Sequence, residues 1–422
     1  MSLTDSTFII LDNGTVKACG YNQYGNLGLG PVANKTTLIL IPDLTNVKQI
    51  SCGVYHSIFL LNDGTVKSCG WNVRGELGLG DTTYRNTPTL IPDLTNVKEI
   101  ACGYDYTLFL LKDGTVKSCG NNDYGKLGLG DTVTRNTPII ISSLSNVKQV
   151  SCGGRHTVFL LKDGTVKACG FNNLGQLGLG DTTTRNTSTL IPNLTNVKEI
   201  ACGYDYTLFL LKDGTVKSCG YNKYSQLGLG DTTNRTTPTL IPNITNVKQI
   251  VCGESHTMFL LNDGTVKACG YNGTYQLGLG NTTNKTTPTL IPNLTNVKQI
   301  SCGSNHTLFL LNDGTVKACG YNSYGQLGLG SSGSYSTSHT AINTGVDSIK
   351  ALFDTIIPAL ILYTILYNNN EVIYNGDEIT TILNHNLDLV KSKGYTSFSN
   401  LLESIADKLL GKYNIIKYII ND

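Results

Sequence analysis

The sequence predicts an all-β protein, a seven-bladed β-propeller of four-stranded antiparallel blades, and three observations lead to this prediction. The motif Asp-Gly-Thr-Val-Lys returns every 50 residues, with Asn13 opening the first copy and the others beginning at Asp63, Asp113, Asp163, Asp213, Asp263 and Asp313. Each copy contains short extended segments separated by turn residues, and no helical periodicity appears before residue 376. A fixed period of this length is typical of propellers and arrays rather than of separate domains.

Each repeat contains four extended segments in a fixed order. Residues 46–52 alternate apolar and polar side chains, as a half-buried strand does, and residues 56–61 form a short apolar run. Asp63-Gly64 follows that run and predicts a type I′ hairpin turn, which needs positive φ at both central residues. Residues 65–69 return from this turn. The last segment contains Pro88 and Pro92, so we expect it at a blade edge or in the connection.

The two ends of the repeat region predict how the ring closes. The first repeat lacks the strand that carries Cys-Gly-x-x-His, and residues 346–351 resemble it, so we expect residues 345–353 to complete the first blade. The predicted propeller therefore spans residues 1–355, and residues 356–376 form a divergent closing or capping hairpin. Apolar residues spaced as on one helix face, among them Leu401, Leu402 and Ile405, predict an α-helical C-terminal extension over residues 377–422.

Composition excludes several classes of protein. The 422 residues include 46 glycines, charged residues make up only 15%, and the formal net charge is +2. These values exclude a charge-driven disordered chain and a strongly basic nucleic-acid binder, so we expect no nucleic-acid partner. The apolar run 356–366 is too short to cross a bilayer, and we expect no membrane association. The N-terminus shows no secretory signal, which predicts a cytoplasmic protein or one assembled into a particle such as a phage tail.

Neither the histidines nor the cysteines predict a metal site. His56, His156, His256 and His306 share one position of the repeat, where Tyr106 and Tyr206 stand in two other copies. A propeller spreads equivalent residues around its channel, so we expect these histidines to hydrogen bond at a strand start rather than to bind one ion. The thirteen cysteines lack the C-x-x-C spacing of a zinc site and are expected to be buried, reduced thiols.

No catalytic motif or cofactor site stands outside the repeat. Leu-Gly-Leu-Gly-Asp lacks the Gly-Lys-[Ser/Thr] and the following helix of a phosphate-binding loop, and no Ser-His-Asp set is present. The sequence therefore predicts a protein that is not an enzyme, with no catalytic residue, no cofactor and no metal.

The repeat resembles a known family. Its motif, C-G-x-x-H-x-x-F-L-L-x-D-G-T-V-K-x-C-G-x-N-x-x-G-Q-L-G-L-G-D, is similar to the repeat of the regulator of chromosome condensation family. The resemblance covers residues 1 to about 350 and implies seven blades of four strands. Members of that family include nucleotide-exchange factors, ubiquitin-ligase modules, bacterial secreted inhibitors and phage-associated proteins. Abundant Asn, Ile, Lys and Tyr favour a bacterial or phage-type member.

The positions that differ between repeats predict a binding surface. They lie just before the histidine position, in the loop after Cys-Gly and in the turn after Leu-Gly-Leu-Gly-Asp, which carries Tyr84 and Arg85 in one blade. A rigid scaffold would present these positions as varied loop tips. Tyrosine, tryptophan and arginine are enriched at binding hot spots. The candidate ligand-binding residues are Tyr24, Tyr55, Trp71, Arg74, Tyr104, Asp105, Tyr124, Arg155, Tyr204, Asp205, Tyr224 and Tyr324.

The leading hypothesis is a non-enzymatic recognition scaffold that uses one propeller face to bind a protein or a cell-surface glycan, as a phage- or surface-associated host-recognition component. The C-terminal helices would then bind an assembly partner. The resemblance leaves two alternatives open: a guanine-nucleotide exchange factor for a small GTPase, and a proteinaceous enzyme inhibitor of the β-lactamase-inhibitor type.

Overall fold

The computed structural model of the chain describes residues 4–333 and 335–342, which form seven antiparallel sheets. The predicted fold class is confirmed: the protein is an all-β, seven-bladed propeller with four-stranded antiparallel blades. Blades 2 to 7 each contain four strands in chain order, whereas blade 1 has three strands among the described residues. The predicted closing strand 346–351, the hairpin 356–376 and the helical extension 377–422 lie outside the described residues.

Strands of each blade follow one another from the central channel outward. The inner strands are β4 (Val47–Cys52), β8 (Val97–Cys102), β12 (Val147–Cys152), β16 (Val197–Cys202), β20 (Val247–Cys252) and β24 (Val297–Cys302). The second strands are β1 (Ser6–Ile10), β5 (His56–Leu61), β9 (Tyr106–Leu111), β13 (His156–Leu161), β17 (Tyr206–Leu211), β21 (His256–Leu261) and β25 (His306–Leu311).

The outer half of each blade repeats in the same way. The third strands are β2 (Val16–Gly20), β6 (Val66–Gly70), β10 (Val116–Gly120), β14 (Val166–Gly170), β18 (Val216–Gly220), β22 (Val266–Gly270) and β26 (Val316–Tyr321). The outer strands are β3 (Lys35–Leu40), β7 (Arg85–Leu90), β11 (Arg135–Ile140), β15 (Arg185–Leu190), β19 (Arg235–Leu240), β23 (Lys285–Leu290) and β27 (Tyr335–Ile342). Asp123–Gly125 forms a 3₁₀ turn in the loop after β10.

The hydrophobic core lies between neighbouring blades. Between blades 1 and 2, for example, Phe59 of β5 packs with Val16, Leu27 and Ile41 of blade 1, and all four are almost inaccessible to solvent. Both faces of each blade are covered by neighbours, which explains why β5 is a continuous apolar run rather than an alternating one. Pro88 lies in the outer strand β7, which pairs only with β6, as the missing N–H of proline predicts.

The hairpin turn differs from the predicted type I′ turn. Gly64 has φ of +90°, but Asp63 does not have positive φ. Gly64 N–H donates to the Leu61 carbonyl (3.0 Å) and Leu61 N–H to the Thr65 carbonyl (2.9 Å), the pattern of a three-residue loop with a glycine bulge. The Asp63 carboxylate instead accepts from Thr65 N–H (2.8 Å) and from its hydroxyl (2.7 Å). The prediction of a type I′ turn was wrong because Asp63 acts here as a hydrogen-bond acceptor for Thr65 and does not adopt the positive φ that this turn needs.

Blades 7 and 1 meet through the same contacts that join the other blades. Ser304 N–H donates to the Thr4 carbonyl (3.1 Å), just as Glu254 N–H donates to the Ser304 carbonyl (3.0 Å) one blade earlier. The Thr7 hydroxyl donates to the Gln326 carbonyl at 2.6 Å. Residues near both ends of the described chain therefore close the ring.

Candidate binding face

All twelve predicted ligand-binding residues lie on one face of the propeller. His56 pairs with Gly70, so the turn before β5 and the loop after β6 emerge side by side, and the other blades repeat this register. We call the surface formed by these turns and loops the loop face, and the opposite surface, with the Asp-Gly hairpins, the hairpin face. Tyr55, Tyr104, Asp105, Arg155, Tyr204 and Asp205 lie in the turns, and Tyr24, Trp71, Arg74, Tyr124, Tyr224 and Tyr324 lie in the loops.

Six aromatic side chains meet on the loop face where blades 7, 1 and 2 join. We call this group the junction cluster; it comprises Tyr21, Tyr24, Tyr55, Trp71, Tyr84 and Tyr324. The Tyr24 ring lies at its centre, with ring centroids 4.5 Å from Trp71 and 5.1 Å from Tyr55. Tyr84 stacks on Trp71 at 4.8 Å, and 42% of its surface is exposed. The cluster is thus a continuous aromatic surface that solvent can reach.

A simple alternation along the chain explains where the cluster forms. In the loops after Cys-Gly, a tyrosine of one blade packs on an aromatic ring of the next, in the pairs Tyr24–Trp71, Tyr124–Phe171, Tyr224–Tyr271 and Tyr324–Tyr21, with centroids 4.5 to 5.1 Å apart. These tyrosines stand in blades 1, 3, 5 and 7, whereas blades 2, 4 and 6 carry Arg74, Leu174 and Thr274. Because the number of blades is odd, blades 7 and 1 place two such pairs side by side.

Two members of the junction cluster, Tyr21 and Tyr84, are absent from the predicted set. Tyr21 occupies the repeat position of Trp71, which belongs to the predicted set, so the aromatic residues at that position in the other copies point to it. Tyr84 immediately precedes the outer strand β7, in a loop position that other blades fill with residues such as Asn34 and Thr134. Its role depends on stacking against Trp71, and that contact is a tertiary feature.

Arg155 belongs to a second group, at the junction of blades 4 and 5. Its guanidinium forms a bidentate ion pair with Asp205, from Nη2 at 2.5 Å and from Nε at 3.2 Å. The same guanidinium lies over the rings of Phe171 (4.2 Å) and Tyr204 (5.5 Å). Asp205 is buried and also accepts from Gln176. These contacts tie one blade to the next, so both charged groups are already engaged within the protein.

The remaining predicted residues are dispersed over the loop face. Asp105 pairs with the buried Lys126 at 2.9 Å and accepts from Asn121, so its carboxylate is also internally engaged. Tyr104 and Tyr204 have ring centroids 6.0 Å apart. Tyr124 is exposed and packs on Phe171, and Tyr224 packs on Tyr271. The Arg74 side chain is exposed.

The histidines join neighbouring blades, as the predicted strand-start hydrogen bond requires. His56 Nε2 lies 3.0 Å from the Thr107 hydroxyl of the next blade, and His156, His256 and His306 repeat the contact with Thr207, Thr307 and Thr7. Burial lowers the pKa of His56 to about 3, so its imidazole is neutral. In the two copies that carry tyrosine, the Tyr106 and Tyr206 hydroxyls donate across the junction to the His156 and His256 carbonyls at 2.5 Å.

The thirteen cysteines are buried free thiols, as predicted. Burial raises the pKa of Cys19 to about 12. Among the described residues, no group of three or more His, Cys, Asp or Glu side chains could hold a metal ion. The same residues contain no helix long and apolar enough to span a bilayer.

The central channel is narrow and polar. A cavity of about 180 Å³ is lined by the inner strands, including Gln49, Glu99, Gln149 and Glu199. Each glutamine forms a double hydrogen bond with the next blade: Gln49 accepts from Ile100 N–H and donates to the Ile100 carbonyl, both at 3.1 Å. Glu99 accepts from Val150 N–H (3.2 Å) at the equivalent position, and burial raises its pKa to about 7.

The sequence matches models of a known protein family. A family model described as the RCC1-like domain matches residues 95–354. The chain belongs to the RCC1-like domain family. Two models of the regulator of chromosome condensation (RCC1) repeat also match, one at residues 13–60 and 63–110 and the other at residues 47–76. No curated protein shows a significant match to the sequence.

Solved structures of RCC1-like proteins share the fold. Yeast RCC1 (Prp20) bound to Kap60 is 23% identical, with a TM-score of 0.72 over 82% of this chain and 86% of that one. Prp20p from Saccharomyces cerevisiae, described with its binding properties to Gsp1p and histones, is 22% identical, with a TM-score of 0.72 over 81% and 89%. Human WBSCR16 is 25% identical, with a TM-score of 0.70 over 78% and 95%.

Proposed function

We propose that this RCC1-like chain is a non-enzymatic binding scaffold that holds a protein ligand at the junction cluster of its loop face. The observation that carries the proposal is the continuous surface of six aromatic rings across blades 7, 1 and 2. Tyrosine and tryptophan provide a large contact area at low conformational cost, and they dominate the energetics of binding interfaces.

The scaffold holds these rings in place before any ligand arrives. Around the channel mouth of the loop face, backbone N–H groups donate to the next blade, from Val54 to Tyr104, from Gly154 to Tyr204 and from Tyr204 to Glu254. Within the cluster, the Tyr21 hydroxyl donates to Gln23 Oε1 at 2.7 Å. Since little freedom remains to be lost on binding, an ordered aromatic surface of this kind supports high affinity.

Two carboxylates of the loop face, Asp105 and Asp205, are engaged within the protein and favour binding over catalysis. Asp105 and Asp205 are paired with Lys126 and Arg155, and the neutral histidines serve as links between blades. A general acid or base needs a titratable group that can reach a substrate. The junction cluster offers aromatic rings and phenolic hydroxyls instead.

Protein binding also fits the relatives that share the fold. Prp20 has been solved bound to Kap60, and Prp20p has been described with its binding to Gsp1p and histones. These partners belong to those proteins. They support a protein, ahead of a cell-surface glycan, as the class of ligand for the present chain.

A matched pair of variants tests the proposal. Tyr24→Ala with Trp71→Ala removes the centre of the junction cluster, and Tyr224→Ala with Tyr271→Ala removes the same repeat positions between blades 5 and 6. Immobilised wild-type chain is screened against protein and glycan libraries, and each ligand found is titrated against both variants. We expect a protein ligand that loses about tenfold or more of its affinity for the first variant and keeps its affinity for the second. Ligands that bind both variants as tightly as the wild type would refute the proposal. Binding of glycans alone would mean that the ligand is a glycan and not a protein.

Two alternatives to this function follow from the family. Similarity to Prp20 keeps a guanine-nucleotide exchange factor as a candidate, although the uniform 50-residue spacing of blades 2 to 6 leaves no inserted segment to open a nucleotide site. Accelerated release of labelled GDP from a small GTPase would favour it. Inhibition in a direct β-lactamase assay would favour the enzyme-inhibitor alternative.

We also propose a biological setting for the scaffold. Abundant Asn, Ile, Lys and Tyr favour a bacterial or phage-type protein in which the propeller recognises a host surface. Residues 356–376 would cap the ring, and residues 377–422 would bind an assembly partner. Truncation after Gly376 tests this last role: an unchanged mass in solution and unchanged docking to a larger particle would contradict it.

A further inference from the structure

In the described part of the chain, the hairpin face carries six lysines at the mouth of the channel, one from each of blades 2 to 7. Each is the second residue of an inner strand, so all six lie at the same level around the axis; they are Lys48, Lys98, Lys148, Lys198, Lys248 and Lys298. In every one of these strands the pairing register shifts at the lysine, as in a β-bulge. A bulge re-aims the side chain, and all six lysines are exposed. We call this set the lysine ring.

Neighbouring members of the ring lie within reach of one another. Lys98 Nζ donates to the carbonyl of Lys148 at 3.1 Å, and Lys148 Nζ donates to the carbonyl of Lys198 at 3.2 Å. The ammonium groups of Lys98 and Lys148 therefore lie against the backbone of the next lysine. This arrangement concentrates like charges on a small circle, where they repel one another unless an anion is present.

The two faces of the propeller differ in how their charges are balanced. On the loop face, arginines and aspartates form ion pairs such as Arg85–Asp81 and Arg155–Asp205, at 2.6 and 2.5 Å. No member of the lysine ring forms an ion pair with another residue of the described part of the chain. Glu99 and Glu199 are engaged with the backbone of the next blade, and they lie close enough to ring lysines for these to oppose the rise in carboxyl pKa that burial causes.

Lysines farther from the axis on the same face have acidic neighbours. Lys112 and Lys162 flank the hairpins and lie close enough to Asp63 and Asp113 to contribute to the lowered pKa of each carboxyl, after the dominant hydrogen bonds from Thr65 and Thr115. Asp63 and Asp113, with their lowered pKa, are charged at neutral pH, whereas Glu99 and Glu199, with pKa raised to about 7 by burial, are only partly charged beside the lysine ring. This difference separates a localised site from a uniformly basic surface.

We propose that the lysine ring binds a compact polyanion that carries several phosphate groups. Lysine ammonium groups bind phosphate as point charges, and a narrow mouth lined by one sign of charge focuses the field on an anion. Six donors around the channel mouth, one from each of blades 2 to 7, match a ligand whose phosphates point outward in several directions. An extended polyanion such as a nucleic acid would instead require basic residues along a continuous path. The site lies on the face opposite the junction cluster, so it is independent of the proposed protein ligand.

The test compares two triple variants of the full chain in blades 3, 4 and 5. Lys98→Gln, Lys148→Gln and Lys198→Gln neutralise half of the lysine ring. Lys112→Gln, Lys162→Gln and Lys212→Gln remove the same charge from the hairpins of the same blades. Inositol hexakisphosphate serves as the compact probe and an oligodeoxythymidine as the extended probe, both titrated calorimetrically at low ionic strength. We expect the ring variant to lose about tenfold or more of its affinity for the compact probe and the hairpin variant to stay within about threefold of wild type.

Several results would overturn the proposal. Wild-type chain that does not bind inositol hexakisphosphate would exclude the site, and equal losses in the two variants would indicate a diffuse basic surface. Tighter binding of the oligodeoxythymidine, with equal dependence on both lysine sets, would identify an extended polyanion instead. A second ring variant, Lys48→Gln with Lys248→Gln and Lys298→Gln, controls for a local folding defect in the first. If this variant keeps the wild-type melting temperature and the wild-type affinity for inositol hexakisphosphate, the lysine ring is not the binding site.

Discussion

The rings of Tyr21 and Tyr324, from the first and last blades, meet edge-to-face with their centroids 5.1 Å apart and their planes at 72°. Tyr21 follows β2 and Tyr324 follows β26, so the contact exists only when the ring is closed. An edge-to-face pair contributes about 0.5–1.5 kcal/mol beyond the area that it buries. This contact links the closure of the propeller to the surface that we propose for ligand binding.

The first prediction concerns this aromatic pair. In a double-mutant cycle of Tyr21→Ala and Tyr324→Ala, we expect the free energies of unfolding to deviate from additivity by about 0.5–1.5 kcal/mol. The measurement is chemical denaturation followed by circular dichroism. A cycle of Tyr21→Ala with Tyr124→Ala, which is in another aromatic pair, should be additive within about 0.5 kcal/mol. Equal coupling in both cycles would mean that the deviation does not report the Tyr21–Tyr324 contact.

The second prediction concerns the channel glutamates. Burial raises the pKa of Glu99 and of Glu199 from the ordinary value of 4.5 to about 7. The folded protein therefore holds more protons than the unfolded chain between pH 4.5 and 7, and the stability that these two groups contribute at low pH is lost as the pH rises through about 7. In Glu99→Gln/Glu199→Gln, we expect the fall in the free energy of unfolding from pH 4.5 to 8 to be smaller by about 2 kcal/mol or more.

Other blades already carry glutamine at the position of the two channel glutamates. Gln149 and Gln249 occupy the same position and both accept from and donate to the next blade. At pH 8 the double variant should therefore be more stable than the wild type, and near pH 4.5 the two should be similar. Parallel pH profiles of thermal melting for wild type and variant would show that the glutamates do not titrate in this range.

The third prediction concerns the hydrogen bonds between blades. The Thr107 hydroxyl is buried, donates to the Glu76 carbonyl (2.8 Å) and contacts His56 Nε2 (3.0 Å). Thr107→Val keeps the shape of the side chain but leaves the Glu76 carbonyl and His56 Nε2 without their hydroxyl partner. We therefore expect the free energy of unfolding to fall by about 2 kcal/mol. Thr87→Val, on the exposed outer strand β7, should change it by less than about 0.5 kcal/mol. Similar losses in the two variants would argue against the link between blades.

The fourth prediction concerns the thiols. All thirteen cysteines are buried, and burial raises the pKa of those such as Cys102 to about 12. Because thiolate formation and exposure control reactivity, we expect the native protein to react with less than about one equivalent of Ellman's reagent. In guanidinium chloride all thirteen thiols should react. Rapid reaction of several thiols in the native protein would show that the blades open locally.

The fold class could be predicted from the sequence because every 50-residue repeat carries the strands and turns of one blade. The position of Pro88 at an edge, the buried thiols and the histidine hydrogen bonds all followed from residue chemistry at a fixed repeat position. The turn type at Asp63-Gly64 did not follow, since the same dipeptide suits a type I′ turn and a glycine-bulge loop, and the Thr65 contacts distinguish the two. The twelve proposed ligand-binding residues remain a prediction.

The sequence by itself determined a ring of seven similar blades, because each 50-residue copy carries its own strands, turns and apolar runs. Only the tertiary structure decided which side chains share a surface. Closing an odd number of alternating blades brings Tyr324 against Tyr21 and gathers one aromatic cluster, while the bulge in each inner strand places six lysines at one channel mouth. Both arrangements join residues that are distant along the chain, and closure of the ring is the physical reason that they meet.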